Sequence, residues 1–360
     1  MRQSIILALI SLLFCGRLIA AEVKPMATLK NTYPQFLVGA ALDGMLPGKY
    51  SADELALIKA QFSQITPENC MKPRSIQPEE GKFDFTMADA LVKFAVDNGI
   101  TITGHCLVWH EQCPEWFFRD GDKPASRELV LQRMKTHIQT LVGRYRGVIK
   151  GWDVVNEALS DTEKVYWRDT KWHQIIGDDF LEKAFIYAHE ADPAAELYYN
   201  EYSDEHPIQR AKTLKLIADL QAKGIRIDAV GIQGHWMLDK IPFQEIEESI
   251  VTFHQAGVKV MITELDVDLL PHEAADLYVN GCPPEVLERQ AQQYARLFTL
   301  FKKHADAITR VTFWGLHDGR SWRNTWPRKR INYPLLFDRQ SQPKWAFDAV
   351  IAAGQFSAMK

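Results

Sequence analysis

Eight short runs rich in β-branched and aromatic residues recur along the chain, each followed by room for a helix. They are Phe36–Leu42, Gln64–Asn69, Ile100–Trp109, Gly151–Glu157, Glu196–Tyr202, Ala229–His235, Lys259–Val267 and Arg310–Leu316. Several are nearly continuous apolar stretches, the pattern of strands covered on both faces in a parallel sheet. Between them the apolar residues change to a helical period. Met87, Ala90, Leu91, Phe94 and Ala95 form one stripe, with Asn98-Gly99 as its stop. Leu131, Met134, Ile138, Leu141, Val142 and Tyr145 repeat the pattern after a capping Ser126, and Leu287, Gln290, Tyr294, Leu297, Phe298 and Phe301 make a third helix. This alternation predicts a (β/α)8 TIM barrel, a single domain over residues 25–355. The competing doubly wound sheet wants a G-x-G-x-x-G turn after its first strand, where the chain has Gly39-Ala-Ala-Leu-Asp-Gly44.

Composition narrows the function classes. Of 360 residues, 46% are hydrophobic and 24% charged, which suits a packed core and not a disordered chain. The 42 basic and 46 acidic residues leave a net charge of −4 with no long run of either sign, so no nucleic-acid partner is expected. At the N-terminus, Arg2, an apolar run from Ile5 to Phe14, and the small residues Ala20 and Ala21 follow the order of a secretory signal. Residues 1–21 are therefore expected to be a signal peptide, and the protein to be secreted or periplasmic. That run is shorter than the roughly 20 residues of a membrane span, and no spanning segment follows it. Four cysteines lie beyond it, Cys70, Cys106, Cys113 and Cys282. An oxidising compartment permits three complete pairings, and free thiols are equally open.

Polar residues gather at the carboxyl ends of the runs, the face on which a barrel carries its active site. The second run ends Pro67-Glu68-Asn69, with Lys72 beyond; the third carries His105, Trp109 and His110. The fourth ends Asn156-Glu157, the fifth Asn200-Glu201-Tyr202, and the sixth supplies Gln233 and His235. The seventh ends Glu264-Leu265-Asp266, and Trp314 and Trp322 follow from the eighth. One such residue could cap a helix; recurrence on nearly every run points to a ligand. Glu157 and Glu264 each follow an apolar strand, where an ionised carboxyl needs a partner or a purpose because desolvating it costs several kcal/mol. A structural salt bridge would be one such purpose. Strands four and seven face each other across an eight-stranded ring, and two carboxyls flanking one bond is the arrangement for glycoside cleavage.

With these motifs in place, the chain resembles glycoside hydrolase family 10, the retaining endo-β-1,4-xylanases. The matching segments are Glu68-Asn-Cys-Met-Lys72, Gly104-His-Cys-Leu-Val-Trp-His110, Trp152-Asp-Val-Val-Asn-Glu157, Gly231-Ile-Gln-Gly-His235, Ile262-Thr-Glu-Leu-Asp266, Thr312-Phe-Trp-Gly315 and Asn332-Tyr-Pro-Leu-Leu-Phe337. The resemblance implies Glu157 as acid/base and Glu264 as nucleophile. It implies that Glu68, Asn69 and Lys72 bind sugars on the non-reducing side, and that His105, Asn156 and Gln233 hold the sugar being cleaved. His235, with Asp266 behind it, is implied to orient the nucleophile. Trp109, Trp314 and Trp322 would wall the cleft and Tyr202 would face the leaving group. Xylan is the implied partner, with no cofactor and no metal, and the protein is expected to be a monomer.

Several positions depart from the family's usual pattern. Cys106 and Cys113 stand where threonine is common, and Cys70 lies within the second-strand motif. Glu201 and Ser203 stand where Asp and Asn are frequent, His317 replaces a small hydroxyl residue, and Trp345 replaces a proline. These departures bear on the outer subsites and on side-chain decorations of the substrate. Trp109, Trp314 and His105 could instead be core residues, and Lys72 a solvated lysine. A metal hydrolase would draw on His105, His110, His235 and Asp266, although no H-x-H or H-E-x-x-H spacing occurs. A non-catalytic sugar-binding barrel would be expected to lack one of the two glutamates. A β-1,4-glucanase is the rival within the fold.

Overall fold

Parallel strands close on themselves in chain order in the computed structural model, which describes residues 27–275 and 277–355. The expected signal peptide lies outside the described residues. The barrel strands are β1 (Leu37–Leu42), β2 (Gln64–Pro67), β3 (Thr101–Val108), β4 (Gly151–Asn156), β5 (Glu196–Glu201), β6 (Ala229–Ile232), β7 (Lys259–Asp268) and β8 (Ile308–Phe313). Each pairs with the next, and β8 pairs with both β7 and β1, which closes the ring. Helices fill the connections and cover the outside. This is the (β/α)8 barrel that the alternation predicts.

The strands are buried along nearly their whole length, as their apolar sequences require. Alternate residues divide between two cores. On β5, Leu197 and Tyr199 join the large apolar layer between barrel and helices, whereas Tyr198 belongs to a separate small cluster with Ala229 and Met261. The inward positions are largely polar and pair with one another. Thr312 donates to Gln64 at 3.0 Å, and Gln64 donates to Thr66 at 2.8 Å.

Some boundaries move. The sixth run splits, because Gly234 adopts a left-handed φ of 83° after Gln233 and turns the chain. His235–Met237 then forms its own short strand beside the end of β7, with His235 opposite Asp266. The helix Thr86–Asp97 is rotated relative to its predicted stripe. Met87 is 39% exposed, and Ala88, Leu91, Val92, Phe94 and Ala95 form the buried face. The helix Arg127–Arg144 is capped as expected, with Ser126 accepting from the Leu129 amide. All four described cysteines are free thiols. No helix among the described residues is long and apolar enough to cross a membrane.

A charged staple spans the seam between the first and last strands. Glu54, in the helix Ala52–Gln61, forms a capping box with Ser51. The same carboxylate meets His317 Nε2 at 2.9 Å and accepts from Arg320, both in the chain after β8. Arg320 also reaches Asp43 at 3.2 Å and lies over the Tyr50 ring. His317, a departure from the family pattern, therefore belongs to this staple. Burial acts to raise the Glu54 carboxyl, but Arg320, Ser51 and His317 outweigh it and lower the pKa to about 2. A depressed carboxyl contributes stability that is present above its unfolded value, 4.5, and is lost as pH falls through its folded value. Glu54→Gln should therefore cost about 2 kcal/mol near neutrality. Thermal unfolding of both forms should show a Tm gap at pH 7 that narrows steadily below pH 4.5. A gap constant down to pH 2 would show that the charge is not what staples the seam.

Candidate active site

Irregularities at the strand ends aim the polar side chains into one cleft. The pairing of β7 with β8 slips between Ile262 and Leu265, so Thr263 and Glu264 can both face inward although they are adjacent. Thr263 donates to Asn200 at 2.6 Å, and Asn200 in turn donates to Glu264 at 2.7 Å. The pairing of β4 with β5 slips between Asp153 and Val155, which brings Asn156 into the same cluster, 2.8 Å from Asn200. Such bulges are a common way of redirecting a side chain beside a site. Gly231 leaves the room for it, since a Cβ there would lie 2.3 Å from the Asn200 side-chain Oδ1.

Glu157 follows β4 in a left-handed conformation, φ 55°. Its amide donates to the Asn200 carbonyl at 2.9 Å, and its own carbonyl accepts from Arg168 at 3.0 Å. Its carboxyl accepts from Trp109 Nε1 and from Gln233 Nε2, both at 2.8 Å. Glu264 is 5% exposed and lies 3.1 Å from His235 Nε2. The other ring nitrogen of His235 lies 2.8 Å from Asp266. Asp266 is closed off by Trp322 Nε1 at 2.8 Å and by Arg323 Nε at 3.0 Å.

These surroundings drive the two carboxyls apart. Burial raises the pKa of Glu157, and the charge of Glu264 adds to it, against hydrogen bonds from Gln233 and Trp109. Burial acts the same way on Glu264, but His235, His105 and Lys72 outweigh it, and its pKa is lowered. His235 is desolvated, yet Asp266 and Glu264 raise it to about 9, so it is a cation at neutral pH. Asp266 falls to about 2 despite its burial, held by Arg323, His235 and Trp322.

The remaining sequence-predicted residues surround this pair. Lys72 is buried, donates to Asn69 at 3.0 Å and lies 4.8 Å above the Trp109 ring. It is not a solvated lysine. Burial raises Glu68 to about 7, partly offset by Lys72. His105 meets Asp153 at 2.9 Å and stands edge-on to Trp314, which is also edge-on to His235. Trp322 packs against His235 and stacks on Trp326. The Tyr202 hydroxyl donates to Asp161 at 2.7 Å and accepts at 2.5 Å from Arg168, the residue that also reaches the Glu157 carbonyl. Of the histidines in the rival metal reading, His105 and His235 pair with carboxylates, whereas His110 packs edge-on against Trp109 with its Nδ1 unpartnered among the described residues. No group of three His, Cys, Asp or Glu side chains among the described residues is placed to hold a metal ion.

Four residues of the cluster were not among the expected site residues. Asn200 bridges Asn156 and Glu264, and its place at a strand end was its only sequence signal. Asp153 holds His105, and lies within a motif segment quoted for other residues. Arg323 neutralises Asp266 and is adjacent to Trp322. Arg168, in a long loop, carried no signal at all.

The chain matches known proteins over most of its length. The family model described as Glycosyl hydrolase family 10 matches residues 28–353. An endo-1,4-β-xylanase A of Xylanibacter ruminicola is 43% identical over 345 residues, covering 91% of this chain and 93% of its own. A β-1,4-xylanase of Dictyoglomus thermophilum is 41% identical, covering 96% and 97%. Among solved structures, a Paenibacillus barcinonensis xylanase complexed with a conduramine derivative superposes with a TM-score of 0.86 at 40% identity, covering 90% of this chain and 98% of its own. The sequence motifs, the barrel and these relatives agree: the chain belongs to glycosyl hydrolase family 10.

Proposed function

We propose that this protein is a secreted endo-1,4-β-xylanase that cleaves internal bonds of xylan with retention of configuration. The carrying observation is the opposite displacement of two carboxyl pKa values within one hydrogen-bonded cluster. An enzyme of this kind needs one carboxyl protonated and the other ionised at the same pH. The names of the relatives supply the substrate class, and the segment from Arg2 to Ala21 supports secretion.

In this mechanism Glu264 attacks the anomeric carbon while Glu157 gives its proton to the departing glycosidic oxygen. The sugar becomes esterified to Glu264, and the negative charge there disappears. With that charge gone, Glu157 ionises more readily and serves as base for the incoming water. His235 keeps Glu264 anionic and oriented; Asp266, itself held ionised by Arg323, keeps His235 cationic. Asn156, Gln233 and His105 bind the sugar at the reacting centre; Glu68, Asn69 and Lys72 bind the sugars beyond it. Trp109 packs above Lys72, and Tyr202 stands towards the leaving group. Trp314 and Trp322 form the wall beside the C5 position, which in xylose lacks the hydroxymethyl group of glucose.

The division of roles is tested by removing each carboxyl. Glu264→Ala should abolish turnover of every substrate. Glu157→Ala should lower kcat/KM on xylan by about 10²–10⁴-fold while sparing aryl xylobiosides whose leaving group needs no proton. Azide should then restore its turnover and yield a β-glycosyl azide. Equal losses on activated and unactivated substrates would contradict the assignment.

The substrate is tested with xylohexaose and cellohexaose. Wild-type kcat/KM should strongly favour xylohexaose, cut at internal bonds. A steric wall can discriminate by more than the roughly 1–3 kcal/mol of one methylene contact. Trp322→Ala should narrow the ratio and, by exposing Asp266 and His235, lower turnover of xylohexaose. A wild-type preference for cellohexaose would overturn the xylanase reading even with both glutamates catalytic.

A further inference from the structure

Glu201 departs from the family pattern, and the two-glutamate mechanism makes no use of it. It ends β5, one residue after Asn200, so its side chain leaves the strand on the opposite face from the cleft cluster. It is fully buried. One carboxyl oxygen accepts from the Leu159 amide at 3.2 Å and from the Tyr199 hydroxyl at 2.5 Å. The other accepts from the Tyr202 amide at 3.1 Å. The Tyr199 hydroxyl accepts, in turn, from the Ala158 amide at 3.1 Å.

The two residues that follow Glu157 therefore hang by their backbone amides from one phenol–carboxyl pair. This matters because Glu157 holds a left-handed φ of 55°, unfavourable for a side chain of its size. Such a conformation persists only where its surroundings over-determine it. Asn200 and Arg168 fix the Glu157 peptide groups, and Tyr199 with Glu201 fixes the next two. Among the described residues Glu201 makes no ion pair, so its hold is one of directed hydrogen bonds. Burial, and then the charge of Glu157, raise its carboxyl to about 8 against the hydrogen bonds from Tyr199 and Leu159.

We propose that Glu201 is a positioning residue for Glu157, holding the turn Glu157–Leu159 from behind so that the acid carboxyl is aimed at the glycosidic oxygen. The proposal rests on Glu157 being the general acid. Glu201 touches no substrate, and in kcat/KM, which reports the glycosylation step, its effect is confined to substrates whose leaving group must be protonated.

The test compares kcat/KM on xylohexaose and on 2,4-dinitrophenyl xylobioside, whose leaving group departs unprotonated. Glu201→Leu should lower the first by about 10–100-fold, the scale of a misplaced catalytic group, and the second by less than about threefold. Glu201→Gln keeps the shape and loses one acceptor, so it should fall between Leu and wild type with the same asymmetry. If the Leu variant fails to fold, as judged by circular dichroism, the asymmetry of the Gln variant decides. Equal losses on both substrates, or none, would overturn the proposal. Glu157→Ala is run in parallel. If it shows the asymmetry and the Glu201 variants do not, the positioning role fails alone; if it shows none, the acid assignment fails and takes the proposal with it.

Discussion

An imidazolium held between two carboxylates is the interaction on which the site depends. His235 lies 2.8 Å from Asp266 and 3.1 Å from Glu264, and it is a cation because both are beside it. A buried positive charge would be costly by itself, and so would either carboxylate. Together they are compensated, and the chain continues outward: Arg323 reaches Asp268 at 3.5 Å, and Arg330 reaches Asp268 at 2.5 Å. Two arginines thus share the charge of Asp266 and Asp268 at the end of β7, and His235 is shared between Asp266 and Glu264. The arrangement leaves Glu264 ionised. At Glu157, burial and the charge of Glu264 outweigh the hydrogen bonds from Gln233 and Trp109 and the more weakly acting Arg168. One feature, a histidine on one glutamate and an indole and an amide on the other, sorts two chemically identical groups into two states.

The barrel makes this possible through its irregularities. A regular strand alternates faces and could not present Thr263 and Glu264 to the same cluster. The slip in β7 does so, and that in β4 brings Asn156 beside Asn200. The left-handed turn at Glu157 and the corner at Gly234 complete the set. Each is an interruption of hydrogen-bonded regularity, and all lie at the same end of the strands. The large apolar layer between barrel and helices supplies the rigidity against which such interruptions hold their shape.

Much of this was legible in the chain itself. Eight apolar runs with helical periods between them imply the barrel, because few other folds bury so many strands on both faces. Glu157, Glu264, Gln233, His235 and Asp266 stand at strand ends with polar neighbours, and all converge. What sequence could not supply was partnership. Nothing in the spacing indicates that Asn200 bridges Asn156 and Glu264, that Arg323 balances Asp266, or that Arg168 crosses a loop to the Glu157 carbonyl. The Asn200 pairings depend on register slips that carry no compositional mark, and the two arginines reach their partners from the connections after β4 and β8. His317 illustrates the converse. Its departure from pattern suggested the cleft, yet it staples the seam through Glu54, a partner 263 positions away. In the helix Thr86–Asp97, Met87 and Ala90 lie off the buried face and Ala88 and Val92 take their places beside Leu91, Phe94 and Ala95.

If Glu264 bonds to the sugar before water does, hydrolysis retains configuration. Proton NMR of the first turnovers on xylohexaose reads this out, provided hydrolysis outpaces mutarotation. The β-anomer of the new reducing end should accumulate first and relax afterwards to the equilibrium mixture. An initial α-anomer would mean direct attack by water, and would contradict a covalent role for Glu264.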